Sequence, residues 1–211
     1  GVNSAGFPQN YKEYLLTWAS MNPDYEHHIL TDDLCEALIA HLYSPVPDVL
    51  EAYQSLPRSI LKADFFRYLI LFARGGIYSD IDTKALKPIK VWKSLEPTLY
   101  GKEINPGIVV GIEADTGTRE DWAEWYARQI QFCQWTIMLK PGHPLLRELI
   151  AEITDRTLTR KKKGQLNSVL GKDQGGDIMN WTGPAIFTDY VFNSLNNIVQ
   201  DNNNFITRVY T

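Results

Sequence analysis

An α/β fold in one domain is what this sequence predicts, and three observations lead there. Stretches with apolar residues three and four positions apart alternate with short apolar or alternating runs, and glycine and proline mark the joins. The 211 residues, 44% hydrophobic and 22% charged, suffice for one sizeable core. A net charge of −4 argues against a general nucleic-acid binder, which is usually basic. No apolar run approaches the roughly 18 residues of a membrane span. The first residues also lack the basic-then-apolar pattern of a signal peptide. A membrane anchor outside these residues stays open.

The elements follow in order. Residues 1 to 9 read as loop, and Asn10 to Met21 as a helix with Tyr11, Tyr14, Leu15 and Trp18 on one stripe. Asn22-Pro23-Asp24 stops it, Tyr25 to Leu30 reads as a short strand, and Thr31-Asp32-Asp33 opens a helix ending near Leu42. Val49 to Leu56 is a short helix before Pro57. Ser59 to Arg74 is apolar on nearly every face, as a core helix must be, and Gly75-Gly76 ends it. Ile77 to Asp82 alternates as a strand. Thr98 to Gly101 and Gly107 to Ile112 read as further strands, and Glu120 to Met138 as an aromatic-rich helix. Leu145 to Leu158 is an amphipathic helix, followed by the basic run Arg160 to Lys163, read as a solvated face. Thr182-Gly183-Pro184 opens a last helix, and Phe205 to Tyr210 reads as an edge strand.

The chemistry concentrates in Gly75-Gly76-Ile77-Tyr78-Ser79-Asp80-Ile81-Asp82. On a strand, Tyr78, Asp80 and Asp82 share one face, with the two carboxylates roughly 6.5 Å apart at Cα. Such a pair repels itself unless a cation or donor hydrogens intervene. Magnesium or manganese, which typically combines one or two carboxylates with substrate phosphates, meets that need. Fourteen aspartates produce about one Asp-x-Asp by chance, so two solvated acids at a strand end remain the competing reading. The position of the pair after a buried helix, at a strand end where α/β sheets place ligands, favours function. Within the preceding helix, Asp64 and Arg67 are three apart and share a face. They form either a buried ion pair or a joint ligand contact. Lys62 is expected to snorkel outward.

The segment from Arg58 through Asp64, Arg67, Gly75, Gly76, Tyr78, Asp80 and Asp82 to Thr83 resembles the Asp-x-Asp sugar transferases of glycosyltransferase family 32. Arg128 to Thr136, the Lys140-Pro141-Gly142-His143 turn and Asn180 to Pro184 resemble its fungal α-1,6-mannosyltransferase branch. The resemblance covers nearly the whole chain. It implies a GT-A-like, Rossmann-like single catalytic domain over residues 1–211, with a mixed central sheet flanked by helices. It also implies a GDP-mannose donor, Mn2+ and retention of configuration. The acceptor would be a mannose-containing N-glycan at the start of its outer chain, and the place the Golgi lumen, behind an anchor outside this chain. Asp80 and Asp82 would be the catalytic pair, with Asp82 a direct metal ligand and Asp80 meeting the donor's ribose or sugar and the metal region. Asp64 and Arg67 would hold donor sugar hydroxyls, Tyr78 and Gly76 would shape the approach, and Trp181, Thr182, Gly183 and Pro184 would flank the donor pocket.

Relatives open on an Ile-Trp-Gln-Thr-Trp strand and continue to a histidine-containing Gly-Ser-Trp segment. Neither stands in these residues, which run from Gly1 to Thr211, so the expected domain lacks them. Two rival readings are a phosphohydrolase with Asp80 as nucleophile, which Lys84 at its threonine position opposes, and a nucleotide-sugar or glycan-binding module without turnover.

Other residues carry weaker signals. Asp173 and Asp177 are nucleophile candidates only by their nearness to Thr182-Gly183-Pro184, and a polar loop is the competing reading. His27 and His28 face opposite ways on a strand and read as surface. His143 reads as a turn residue, Trp122, Trp125 and Tyr126 as core, and Trp135 stays undecided between core and sugar platform. Cys35 and Cys133 are one bridge or two buried thiols, and Asn180-Trp181-Thr182 is a doubtful glycosylation acceptor.

Overall fold

A core helix, a central strand and two further helices organise the interior. The computed structural model describes residues 9–96, 105–169 and 177–200. Helix α1 (Gln9–Met21) and α2 (Asp32–Leu42) come first, the latter capped by Thr31, whose hydroxyl accepts the Leu34 N–H at 3.4 Å. Helix α3 (Pro47–Ser55) starts earlier than the sequence suggests, because Pro47 suits the first turn, where no N–H is needed.

Helix α4 (Ser59–Arg74) has the bounds its apolar pattern predicts. Gly75 ends it at φ +67°, donating its N–H to the Leu71 carbonyl at 2.8 Å. A Cβ there would lie 2.5 Å from Pro141 Cδ, so both conformation and space demand glycine.

Three strands form an antiparallel sheet in the order β1 (Gly76–Ser79), β3 (Ile130–Leu139), β2 (Ile108–Asp115). Between β2 and β3 lies the single-turn α5 (Trp122–Trp125), and the chain continues as α6 (Pro144–Lys162), α7 (Asp177–Trp181) and α8 (Pro184–Gln200). Helix α3 packs on α6, α4 on α6, and α8 on β3. The buried centre includes Phe65, Leu69, Ile137, Leu146, Ile153 and Phe187. The fold class is therefore α/β as expected, with a sheet that is antiparallel among the described residues.

Several expectations need correction. The central strand β3 replaces most of the helix expected over Glu120 to Met138. Gln131, Cys133, Gln134, Ile137 and Leu139 are all buried along it, and a strand covered on both faces loses the alternation that identifies strands. Trp125, expected in the core, is 58% exposed. Tyr25 to Leu30 is irregular and largely exposed, with no strand partner among the described residues. Arg160 to Lys162 close α6, where their charge suits the helix C-terminus. Lys161, Lys162 and Lys163 are exposed, as a solvated face should be, while Arg160 is half-buried against Asp177 at 2.8 Å and Lys161 also pairs with Glu51 at 2.9 Å. The strands expected at Thr98 to Gly101 and Phe205 to Tyr210, and Asp173, lie outside the described residues.

Other readings hold. Lys62 points outward to Glu36 at 2.6 Å, and His27 and His28 are exposed. His143 caps α6, its Nδ1 accepting the Leu145 N–H at 3.3 Å. Both cysteines are free thiols.

Candidate active site

The strand carrying the aspartates stops sooner than alternation suggests. Strand β1 ends at Ser79, and Asp80 to Thr83 form a turn closed by the Thr83 N–H on the Asp80 carbonyl at 3.2 Å. The alternating-face geometry expected for Tyr78, Asp80 and Asp82 therefore does not extend to Asp82. Hydroxyls hold the turn. Thr83 Oγ1 donates to the Asp80 carbonyl at 2.6 Å, and Ser79 Oγ lies 2.6 Å from Thr83 Oγ1 and 2.9 Å from Thr136 Oγ1. From α1, the Trp18 indole N–H reaches the Thr83 carbonyl at 3.2 Å. The sheet adds one more rung, Asp80 N–H to the Trp135 carbonyl at 2.9 Å.

Both carboxylates open on one cleft of about 680 Å³, walled by Trp18, Trp92 and Trp135, with Lys84 and Lys87 along it. That volume lies within the range of small-molecule sites. Asp82 is exposed and makes no hydrogen bond or ion pair among the described residues. Asp80 is half-buried, and its Oδ1 accepts the Tyr78 hydroxyl at 2.8 Å and lies 3.4 Å from Arg67 Nη2. Burial raises the Asp80 carboxyl above the usual range. Arg67 and the Tyr78 hydroxyl pull it back, and the Asp82 charge pushes it further up.

Behind Asp80 lies a buried polar cluster. Arg67 Nη2 pairs with Asp64 Oδ1 at 2.9 Å, and both side chains are about 5% exposed. Asp64 also accepts the Thr182 hydroxyl at 3.0 Å and the Gln134 amide at 3.3 Å. The Tyr68 hydroxyl meets Gln134 Oε1 and the Thr182 carbonyl. Burial pushes the Asp64 carboxyl up to about 6 against the opposing pull of Arg67, Thr182 and Gln134. The Arg67 guanidinium sits 5.2 Å from the centre of the Tyr78 ring, and its Nε is buried without a partner among the described residues.

The structure thus links Asp80, Tyr78, Arg67, Asp64 and Thr182 into one connected set, with Asp82 sharing the cleft with Asp80. Of these only the two DXD aspartates line the cleft; Asp64 and Arg67 form the ion pair behind it. Gly76, at φ +97°, stands at the start of β1, the opposite end from Asp80. Trp181 is buried, its indole donating to Thr157 Oγ1 at 2.9 Å, and Gly183 and Pro184 join α7 to α8. Asp177 is held in a two-pronged pair by Arg160 at 2.8 and 3.1 Å. The Asn180-Trp181-Thr182 tripeptide has its tryptophan and threonine buried, so it is a poor acceptor for a glycan. Gln134 and Tyr68 escaped the sequence reading. Gln134 lies in the segment read as helix, and a tyrosine in an apolar helix carries no polar signal of its own.

The donor set suits a divalent ion of the magnesium or manganese class. It offers two hard carboxylate oxygens from neighbouring residues, their mutual repulsion visible at Asp80, in an open cleft. No group of three or more His, Cys, Asp or Glu assembles among the described residues.

Residues 8–99 match the family model described as a glycosyltransferase sugar-binding region containing a DXD motif. The chain is 62% identical to the initiation-specific α-1,6-mannosyltransferase of Candida albicans, over 95% of this chain and 52% of that protein. By these two matches the chain is similar to DXD-containing glycosyltransferases, in its first half by the family model and over nearly all of its length by this relative. It is 41% identical to the protein of the same name from Saccharomyces cerevisiae, over 98% of this chain and 54% of that one. It therefore spans about half the length of these relatives. The glycosyltransferase fold is matched by the solved PaToxG glycosyltransferase at a TM-score of 0.57 and 15% identity, over 94% of this chain and 67% of that one.

Gly183 holds the buried cluster by close approach. A Cβ there would lie 2.8 Å from Met179 Cα and 2.9 Å from the Ile178 carbonyl oxygen. Gly183→Ala must shift backbone beside Thr182, at an expected cost of about 1–3 kcal/mol. Thermal unfolding should show a Tm lower by several degrees; an unchanged Tm would mean that α7 yields freely.

Proposed function

We propose that this protein transfers mannose from GDP-mannose to a mannose of an N-glycan, in α-1,6 linkage and with retention. The carrying observation is the Asp80–Asp82 turn opening on the cleft. The choice of sugar and linkage is supported by the relatives, which are named as α-1,6-mannosyltransferases. Asp82 and Asp80 would hold a manganese ion, which when bound supplies charge neutralisation for the departing diphosphate.

The chain's own residues do the positioning. Arg67 and the Tyr78 hydroxyl fix one Asp80 oxygen, while Ser79, Thr83 and Trp18 stiffen the turn before any ligand arrives. Charge placed beforehand in this way needs little reorganisation during reaction. Lys84 and Lys87 add positive charge along the wall where the phosphates run. Among the described residues no third carboxylate lines the cleft, which favours attack on the donor face the diphosphate leaves. The sugar–phosphate bond breaks as the bond to the acceptor oxygen forms. The acceptor proton passes to the departing phosphate oxygen.

We also place the reaction in the Golgi lumen, behind an anchor beyond these residues. No described helix is long and apolar enough to cross a membrane. The test of function is incubation with GDP-mannose, manganese and an α-mannose oligosaccharide, with the product linkage read by NMR. A new α-1,6-linked mannose is expected. Manganese-dependent binding of GDP-mannose without transfer would support a binding module instead, and phosphate release from a simple ester a hydrolase.

A further inference from the structure

Trp135 stands on the central strand β3, where a large apolar ring is normally covered, yet it is 41% exposed. Its polar edge is anchored. The indole N–H donates to Glu113 Oε1 at 3.3 Å, Glu113 Oε2 accepts the Gln131 amide at 2.9 Å, and Gln131 is itself buried and bonded to the Ala127 N–H at 3.0 Å. The edge is thus tied down while ring surface is left to the cleft.

Register gives this ring its place. The pairing of Ser79 with Thr136 continues by one rung, since the Asp80 N–H donates to the Trp135 carbonyl at 2.9 Å. Directly opposed residues of antiparallel strands share a face, with Cβ atoms roughly 4.5–5.5 Å apart. Trp135 and Asp80 are therefore neighbours on one face, and both line the cleft.

We infer that Trp135 is a stacking platform for a pyranose ring at the reacting end of the cleft. The inference rests on the donor reading above and deepens it. If Asp80 and Asp82 serve the diphosphate, the nucleobase lies beyond a ribose and both phosphates. The transferred sugar is joined directly to the distal phosphate, and the acceptor sugar meets it at the carbon that reacts. A ring beside Asp80 therefore meets a sugar, not a base. A pyranose has a face of C–H groups and an edge of hydroxyls, which complements an exposed indole face. Donor and acceptor mannose share this chemistry, and the binding data separate them.

The experiment measures binding of GDP, GDP-mannose and a mannobioside by calorimetry with manganese, for wild type, Trp135→Phe and Trp135→Ala. Thermal unfolding of each variant accompanies it, and Trp125→Ala, exposed outside the cleft, serves as the control. Trp135→Ala should leave GDP affinity within about twofold and weaken a mannose ligand tenfold or more, with Trp135→Phe recovering most of the loss. Loss confined to GDP-mannose assigns the donor ring, and loss confined to the mannobioside the acceptor ring. Unchanged sugar binding, or an equal fall for GDP, overturns the platform while leaving the donor reading intact. A wild-type protein that binds mannobioside but neither nucleotide overturns the donor reading alone, and one that binds none of the three overturns both.

Discussion

Asp82→Asn removes manganese-dependent donor binding while leaving the fold as stable as wild type. Asp82 is exposed and has no hydrogen bond or ion pair among the described residues, so its charge is not spent on the fold. Surface substitutions of that kind stay within about 0.5 kcal/mol in stability. Its negative charge nonetheless acts on Asp80, and the two carboxylates line one cleft. Groups that merely orient a metal ligand cost about 10–100-fold in affinity or activity when mutated, so a direct ligand should cost at least about 100-fold. Calorimetry with GDP-mannose, with and without manganese, reads the result. Undiminished manganese-dependent binding would sink the role assigned to Asp82. Asp80→Asn should differ by lowering stability as well, because Asp80 also receives the Tyr78 hydroxyl and faces Arg67.

Arg67→Ala is the second large effect, and it falls on the fold first. From sequence, Arg67 is either half of a buried ion pair with Asp64 or, as the resemblance implies, a contact for donor hydroxyls whose loss would weaken sugar discrimination. In the structure it is 4% exposed and bridges Asp64 and Asp80. Its removal leaves a buried carboxylate at Asp64 without its cation, which costs about 3–5 kcal/mol. Against a total stability of about 5–15 kcal/mol, that is a large share. For a chain this long the Tm should fall by about 6–20 °C. Arg67→Met with Asp64→Asn should recover part of the loss, because no buried charge is then left unpaired. The double-mutant cycle measures the coupling directly. Wild-type stability in Arg67→Ala, with discrimination between GDP and GDP-mannose alone impaired, would return Arg67 to the role of a ligand contact.

Legibility from sequence followed the physics of each element. Helices α2, α4 and α6 announced themselves through local signals: the Thr31 cap, the unbroken apolar body before Gly75, and the stripe after Pro144. Strand β3 did not, because burial on both faces erased its period and aromatic residues at spacings of three and four imitated a helix. That one error hid Gln134, which links Asp64 to Tyr68, and left Trp135 undecided. The i, i+3 spacing of Asp64 and Arg67 correctly made them neighbours, since a helix imposes that contact locally. It said nothing of Asp80, which reaches Arg67 across the junction of α4 and β1.

The amino-acid order alone determined the core helix and the pair of acids after it, because each is written in residues close together along the chain. Only the tertiary structure decided that Arg67 is buried between Asp64 and Asp80 and that the acids sit on a turn. It alone decided that the sheet register sets an indole beside Asp80. Those facts depend on which distant segments pair and how deeply each side chain is buried, and these are settled by packing over the whole chain.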